Sequence, residues 1–386
     1  MPARTLKFDA TSPYRRLVGV GGIGTGLFFA LEGQHTLGRN ESRPARLLTI
    51  RDYCKLHIIC HYIAVLLGAR PDGSPFHVIP IGKVGDDEPG RRMIGEMTAV
   101  GIDSTQVEVV PDRPTLFSVC FQYPDGSGGN ITTSESAASA LTCADIDRRA
   151  GLLDFGSRRC IVLAAPEAPL ATRYHLLKLG GAHEAFRAAS FTSAEIETAR
   201  TERIFSQTDL VAMNEDEAGV LVGKTFEPTE PQPFLDLCAA ILLSFHPSLR
   251  IIISVGKSGA HAFSEGAWDY RPALSVPVAS TAGAGDALLA GTLAALAVGL
   301  PFIKPGPARS CYSDRALESA FDFGVLLAAY TVTSPHTIHP DANPDALVSF
   351  GRDLGVTFSS ALQDRLGSDC TWGTEIGMIS QYSCGA

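Results

Sequence analysis

Residues 280–291 read Ser-Thr-Ala-Gly-Ala-Gly-Asp-Ala-Leu-Leu-Ala-Gly, a Gly-Ala-Gly turn running straight into an apolar helix. The one charge in the segment, Asp286, sits at that junction. Such a turn presents several backbone N–H groups in one direction, and the helix N-terminus adds its partial positive charge. Together they make an anion site suited to a phosphate. A lone carboxylate beside that site is placed to take a proton from an attacking hydroxyl. The same residues also read as an ordinary loop with Asp286 as a helix N-cap. Three further segments turn the balance toward phosphoryl transfer.

Upstream of the turn the chain alternates strand and helix. Cys160–Ala164, Leu210–Met213 and Ile251–Val255 are apolar runs of the kind buried in parallel sheets. Helical segments, including Glu215–Val222 and Phe234–Phe245, separate them. The alternation predicts an α/β fold, a Rossmann-like doubly wound and mostly parallel sheet whose ligands bind at the carboxyl ends of the strands. Nearer the N-terminus, Arg16–Val20 reads as the first strand, followed by a Gly-rich turn and a polar loop over Gln34–Arg46. Tyr53–Leu67 reads as a helix closed by Gly68, Phe76–Ile81 as a strand, and Gly90–Val100 as a helix. Leu116–Tyr123 and Asn130–Thr133 alternate like a hairpin around Asp125-Gly126.

The composition sets outer limits. With 386 residues, 45% hydrophobic and 19% charged, the chain is globular and long enough for one large α/β domain. A net charge of −9 argues against a nucleic-acid or anionic-membrane partner, since either calls for a basic patch. Nine cysteines without a C-x-x-C pair predict reduced thiols and a cytoplasmic protein. The most apolar run, Ala287–Leu300, stops at Pro301 and is too short to span a bilayer. No signal-peptide core is visible at the N-terminus, and the Gly-, Ser- and Cys-rich stretch 366–386 reads as a loosely held tail.

Three more segments bear on the chemistry. Gly82-Lys83-Val84-Gly85-Asp86-Asp87 precedes a helix; alone it is a tight turn with solvated acids. Asn214-Glu215-Asp216-Glu217 follows a buried strand, where Glu217 either favours the helix dipole or orients Mg²⁺ waters. Ser254-Val255-Gly256-Lys257-Ser258-Gly259 ends another strand, and its glycines let the backbone approach phosphate closely.

In this order the segments resemble the ribokinase-like (PfkB) carbohydrate kinase family, over about Phe76 to Val332. The resemblance implies a ribokinase-like domain over 14–350, with a small β-sheet lid from elements near 16–48 and 114–134. It implies an enzyme, an ATP- and Mg²⁺-dependent carbohydrate kinase moving the γ-phosphate to a hydroxyl of a sugar or nucleoside. Carried over to this sequence, Asp286 is the catalytic base, and the backbone of Gly283, Ala284 and Gly285 forms the anion hole. Asn214 and Glu217 organise Mg²⁺ and phosphates, Glu217 touching the metal through water. Ser254, Gly256 and Gly259 form the nucleotide-binding turn, and Ala320–Val332 with Ser334–His336 encloses the adenine.

The sequence departs from the family's acceptor side. The stretch after the first strand, Gly-Val-Gly-Gly-Ile-Gly-Thr-Gly, lacks the family's acceptor-binding Asp. Asp52-Tyr53-Cys54-Lys55-Leu56-His57 stands in place of the Gly-Gly-x-x-x-Asn signature, and Ser280 replaces an Asp associated with a monovalent cation. Lys55, His57, Arg39 and Asn40 become candidate acceptor residues, with Lys55 suited to an anionic acceptor. His57 and His61, at i and i+4, share one helix face and read first as structural histidines that satisfy hydrogen bonds. An exposed lid sheet predicts a homodimer.

Two other classes stay in view. A silent sugar- or nucleotide-sensing protein on the same fold would explain the missing acceptor residues. An NAD(P)-dependent oxidoreductase would use Gly19-Val20-Gly21-Gly22-Ile23-Gly24, a G-x-G-x-x-G match after a predicted strand. Gly256-Lys257-Ser258 and Gly223-Lys224-Thr225 imitate a P-loop but lack its first glycine.

Overall fold

The computed structural model describes residues 4–125, 128–154, 159–304 and 316–367. The chain folds around a nine-stranded sheet. On one side of its centre are β1 (Arg16–Val20), β4 (His77–Gly85) and β5 (Val107–Val110). On the other side follow β8 (Cys160–Ala164), β9 (Phe186–Ser190), β10 (Leu210–Asn214) and β11 (Arg250–Ser254). All seven run parallel; β12 (Ala260–Ser264) and β13 (Ala267–Arg271) add an antiparallel edge. Because the chain leaves β1 first toward β4 and later toward β8, the strand order reverses between β1 and β8. Such a reversal opens a crevice at the carboxyl ends of the strands.

Alternate strand residues feed two separate cores, the physical basis of a doubly wound sheet. Leu17, Val78, Ile161, Leu210 and Ile252 pack with helices α1 (Lys55–Leu67), α8 (Ala284–Ala297) and α9 (Ala320–Thr331). Their neighbours Val18, Ile79, Val162, Val211 and Ile253 pack on the opposite face with α4 (Leu170–Ala182), α6 (Glu215–Val222) and α7 (Gln232–Leu243). Helix α8 is buried almost all round, which accounts for its nearly charge-free sequence.

The lid is a four-stranded sheet in the order β3 (Ala45–Tyr53), β2 (Gly24–Leu31), β6 (Leu116–Gln122), β7 (Gly128–Thr132). Its extent corrects the sequence reading: Arg16–Val20 belongs to the middle of the main sheet, and the lid begins only at Gly24 and continues to Tyr53. Strand β3 escaped notice because its alternation is weak, with Leu47 and Leu48 adjacent and Leu47 exposed. Asp87 ties lid to core. It caps α2 (Glu88–Ala99) through the Gly90 N–H at 2.9 Å and accepts the Thr115 N–H at 2.8 Å, just before β6. Leu366, expected in a loose tail, is the buried last residue of α11 (Ser360–Leu366); residues 368–386 lie outside the described residues. Among the described residues no helix is long and apolar enough to cross a membrane.

The glycines of the Gly19–Gly24 match serve packing. A Cβ on Gly21 would lie 2.9 Å from Cβ atoms of both Ala165 and Leu56, and one on Gly24 would lie 2.2 Å from the Leu116 carbonyl oxygen. The turn leads into lid strand β2, where a dinucleotide fingerprint requires a helix. The oxidoreductase reading loses its structural support here.

His57 also departs from expectation. It is 1% exposed and does not border the main cavity. Its ring lies 4.7 Å from the Tyr53 ring and 6.2 Å from that of His61, and neither of its nitrogens has a hydrogen-bond partner among the described residues. Burial pushes its pKa down to about 3, and that of His61 to about 4. Between pH 6.5 and about 4 the unfolded imidazoles take up protons and the folded ones do not, so stability falls as pH falls across that window. Each pH unit over which His57 resists protonation costs about 1.4 kcal/mol. His57→Leu should therefore flatten the decline in thermal midpoint between pH 7.5 and 5 (roughly the span set by the shifted histidines). Identical declines in wild type and variant would sink the assignment.

Candidate active site

Helix α8 begins at Ala284, with Gly283 as its N-cap at φ 82°. The Ala284 N–H turns back to the Thr281 carbonyl at 3.3 Å, whereas those of Gly283, Gly285 and Asp286 have no acceptor among the described residues. Three unused donors at one helix N-terminus form an anion hole. The turn is pinned from behind, since a Cβ on Gly283 would fall 2.3 Å from the Thr337 carbonyl oxygen. In front of Gly285 there is open space.

That space is a cavity of about 460 Å³ along the carboxyl ends of β10 and β11. Part of its lining is apolar: Leu274, Val276, Val278, Val325, Ala328 and Val332. The rest includes Asn214, Glu217, Ser254, Gly256, Gly259 and the Gly283–Asp286 turn. An apolar slot continuous with a ring of backbone donors matches a base joined to phosphates. Lys55 reaches this cavity from the start of α1.

Asn214 and Glu217 form a reciprocal cap at the start of α6. The Glu217 N–H donates to Asn214 Oδ1 and the Asn214 N–H to Glu217 Oε2, both at 2.8 Å. The Asn-x-x-Glu spacing thus has a structural use as well as a place in the cavity wall. Burial raises the Glu217 carboxyl above its ordinary range, partly offset by the charge of Lys55. No cluster of three metal-ligating side chains exists among the described residues. Glu217 fits a Mg²⁺ ion that keeps most of its waters and leans on phosphate oxygens, as this metal commonly does.

Burial raises Asp286 too, with Lys55 opposing the rise. Lys55 in turn is pushed up, first by Asp286 and also by Glu217 and Glu167. Its charge therefore already faces several carboxylates.

Glu167 was missed in the sequence. It sits in Pro166-Glu167-Ala168-Pro169 directly after β8, at φ 70°, beside the strand-order reversal. Its Oε2 accepts the Lys55 N–H at 3.0 Å, capping α1 where Cys54 offers no side-chain cap. Gly22 makes room for it: a Cβ there would lie 2.4 Å from Glu167 Cβ. Burial raises this carboxyl to about 7. The available signal was a lone acid between two prolines after a fully buried strand.

Arg39 and Asn40 are not brought to the site. They lie in the exposed β2–β3 loop at the lid's tip, held by local bonds such as Leu37 N–H to Tyr123 Oη at 2.9 Å and Arg43 to Glu41. A 13-residue loop of polar residues closes on itself more cheaply than it reaches back across the sheet (residues 32–44). Gly223-Lys224-Thr225 caps α6 outside the main cavity.

A family model described as pfkB family carbohydrate kinase matches residues 63–344. The chain belongs to that family. The kinase is 27% identical over 263 residues to a deoxyribokinase of Salmonella typhi, covering 67% of this chain and 77% of that protein. Its fold matches the ribokinase of Cryptococcus neoformans var. grubii serotype A in complex with ADP, with a TM-score of 0.65 at 19% identity over 86% of this chain and 99% of the other. It also matches a Burkholderia thailandensis nucleoside kinase in complex with inosine, with a TM-score of 0.64 at 15% identity over 88% and 99%. Kinases of this family use ATP. The ribokinase-like fold expectation, a mostly parallel sheet with a separate small lid, is met.

Proposed function

We propose that this kinase transfers the γ-phosphate of ATP to a hydroxyl of a sugar or sugar-like acceptor, with Asp286 as general base. The observation that carries the reading is the junction of α8, where a carboxylate adjoins three unused backbone donors at the wall of a nucleotide-sized cavity. The apolar lining suits the adenine, and Asn214, Ser254, Gly256 and Gly259 suit the phosphates. Glu217 would hold Mg²⁺ through water, and the ion would supply charge neutralisation for the phosphate oxygens.

In the transfer, Asp286 takes the proton of the acceptor hydroxyl as its oxygen bonds to the γ-phosphorus. The bond from that phosphorus to the bridging oxygen breaks, and ADP leaves. The N–H groups of Gly283, Gly285 and Asp286 receive charge on the transferring oxygens, and the turn needs no rearrangement to do so. Lys55 favours the ionised base. The lid, closing over the crevice between β1 and β8, excludes water that would otherwise accept the phosphate.

The test is ADP release from Mg·ATP against a panel of pentoses, hexoses, sugar phosphates and nucleosides. Turnover with one acceptor class supports the reading, and nucleotide binding without turnover on any member removes it. A homodimer through the lid is supported by its outward apolar residues, Leu27, Leu47 and Ile131, which are 39%, 55% and 68% exposed. Sedimentation as a monomer at working concentration would rule it out.

A further inference from the structure

One carboxylate near the base has no role in the account above. Asp52 lies at the end of β3 and is 9% exposed. The strand register places it on one face of the lid with Gly26 of β2 and Ser118 of β6. Its Oδ2 rests directly over Gly26, where a Cβ would fall 2.4 Å away. Any other residue at that position would displace the carboxylate.

Asp52 is poorly paired for so buried an acid. Its side-chain partner is the Cys120 thiol at 3.8 Å, a weak donor, and the Tyr53 backbone N–H adds a second contact. No Lys or Arg forms an ion pair with it among the described residues. Withdrawing an unpaired carboxylate from water is costly, so a site that keeps one there is poised for an incoming donor. The same face continues with Ser118 Oγ, 3.2 Å from Thr132 Oγ1. Cys120 borders a second cavity of about 410 Å³ between the lid and Ala279–Ala282, the segment that leads into the Gly-Ala-Gly turn. The residue before Asp52, Arg51, accepts the Thr337 N–H at 3.2 Å, and the Thr337 carbonyl backs Gly283, so this end of β3 is seated against the turn that carries Asp286.

We propose that Asp52 reads the acceptor, accepting hydrogen bonds from two neighbouring hydroxyls of a polyhydroxyl substrate. The assignment rests on the kinase reading and sharpens it. The acid missing after β1 is supplied from the lid, at the position where the family's signature has its first glycine. A carboxylate accepts from hydroxyls and repels a phosphate oxygen, so Asp52 favours an acceptor whose recognised hydroxyls are unesterified.

The experiment compares wild type, Asp52→Asn and Gly26→Ala on the best acceptor, on its singly deoxygenated forms and on its phosphate esters. Loss of a hydrogen bond to a charged group should raise the acceptor KM of Asp52→Asn by about 10- to 100-fold, leaving the KM for ATP unchanged. Deoxygenation at the recognised hydroxyl should penalise wild type and spare the variant. Gly26→Ala, which moves the carboxylate without altering charge, should raise the same KM; it decides the matter if Asp52→Asn fails to fold. Wild-type turnover with an unchanged acceptor KM in the folded Asp52→Asn variant overturns the assignment, as does efficient use by wild type of an acceptor phosphorylated at the recognised hydroxyl. Absence of wild-type turnover on every acceptor overturns the kinase reading itself, and this assignment with it.

Discussion

Asp286→Asn should lose about 10²- to 10⁴-fold in kcat, the usual contribution of a positioned general base. Nucleotide affinity should be unchanged, because the amide keeps the shape of the helix terminus and the backbone donors of Gly283 and Gly285. Stability distinguishes this result from misfolding. Burial raises the Asp286 carboxyl, so its charged form is disfavoured in the folded chain. The amide removes that cost, and the variant should melt no lower than wild type, the common exchange of stability for activity at a catalytic site. Lys55 keeps Glu217 and Glu167 as partners, so it is not stranded. The same raised pKa puts the acid limb of kcat/KM above the range of an ordinary aspartate, since only the ionised carboxylate accepts the proton. Steady-state ADP release beside thermal melting checks both points. Retained turnover in a variant as stable as wild type would remove Asp286 from the chemistry.

The half of this site proposed to hold the nucleotide was legible because it is written in contiguous residues. Gly283 to Asp286, Asn214 to Glu217 and Ser254 to Gly259 each lie where a strand or turn meets a helix, and all three line one cavity. Their spacing is fixed by local geometry, an N-cap or a turn, so sequence spacing carries spatial meaning. The acceptor half is assembled otherwise. Glu167 and Lys55 are 112 positions apart, and Asp52 meets Cys120 across 68, so their meeting depends on strand order and lid register. Helical periodicity separates two candidates there: His57, two residues past Lys55 and so on another face of α1, turns into the core, while Lys55 reaches the cavity. The lid tip shows a further limit. Arg39 and Asn40 are the kind of residues that hold anions, but a strand pair of eight and nine residues carries them away from the base.

Gly283→Ala is expected to abolish most activity by a different route, through the link between anion hole and lid. The glycine sits at φ 82°, which costs an L-residue roughly 1–2 kcal/mol. Its new Cβ would also press on the Thr337 carbonyl oxygen 2.3 Å away. Thr337 cannot yield freely. Its N–H donates to the Arg51 carbonyl at 3.2 Å, and its Oγ1 accepts the Tyr53 N–H at 3.1 Å, so it holds the end of β3 against the core. Arg51 adds a third tie through its N–H to His336 Nδ1 at 3.0 Å. Displacing Thr337 therefore shifts the donors of the turn and the seat of the lid together, and Asp52 moves with β3. Misplacing one such donor costs about 10²- to 10³-fold in kcat, and the acceptor KM should rise in the same variant. Gly285→Ala supplies the contrast. A Cβ there meets no heavy atom within 4 Å, so the helix keeps its melting temperature while the methyl enters the cavity. That variant should lose affinity for ATP and keep its acceptor KM. If Gly283→Ala instead weakens ATP alone, the turn and the lid act independently, and the Thr337 link has no part in catalysis.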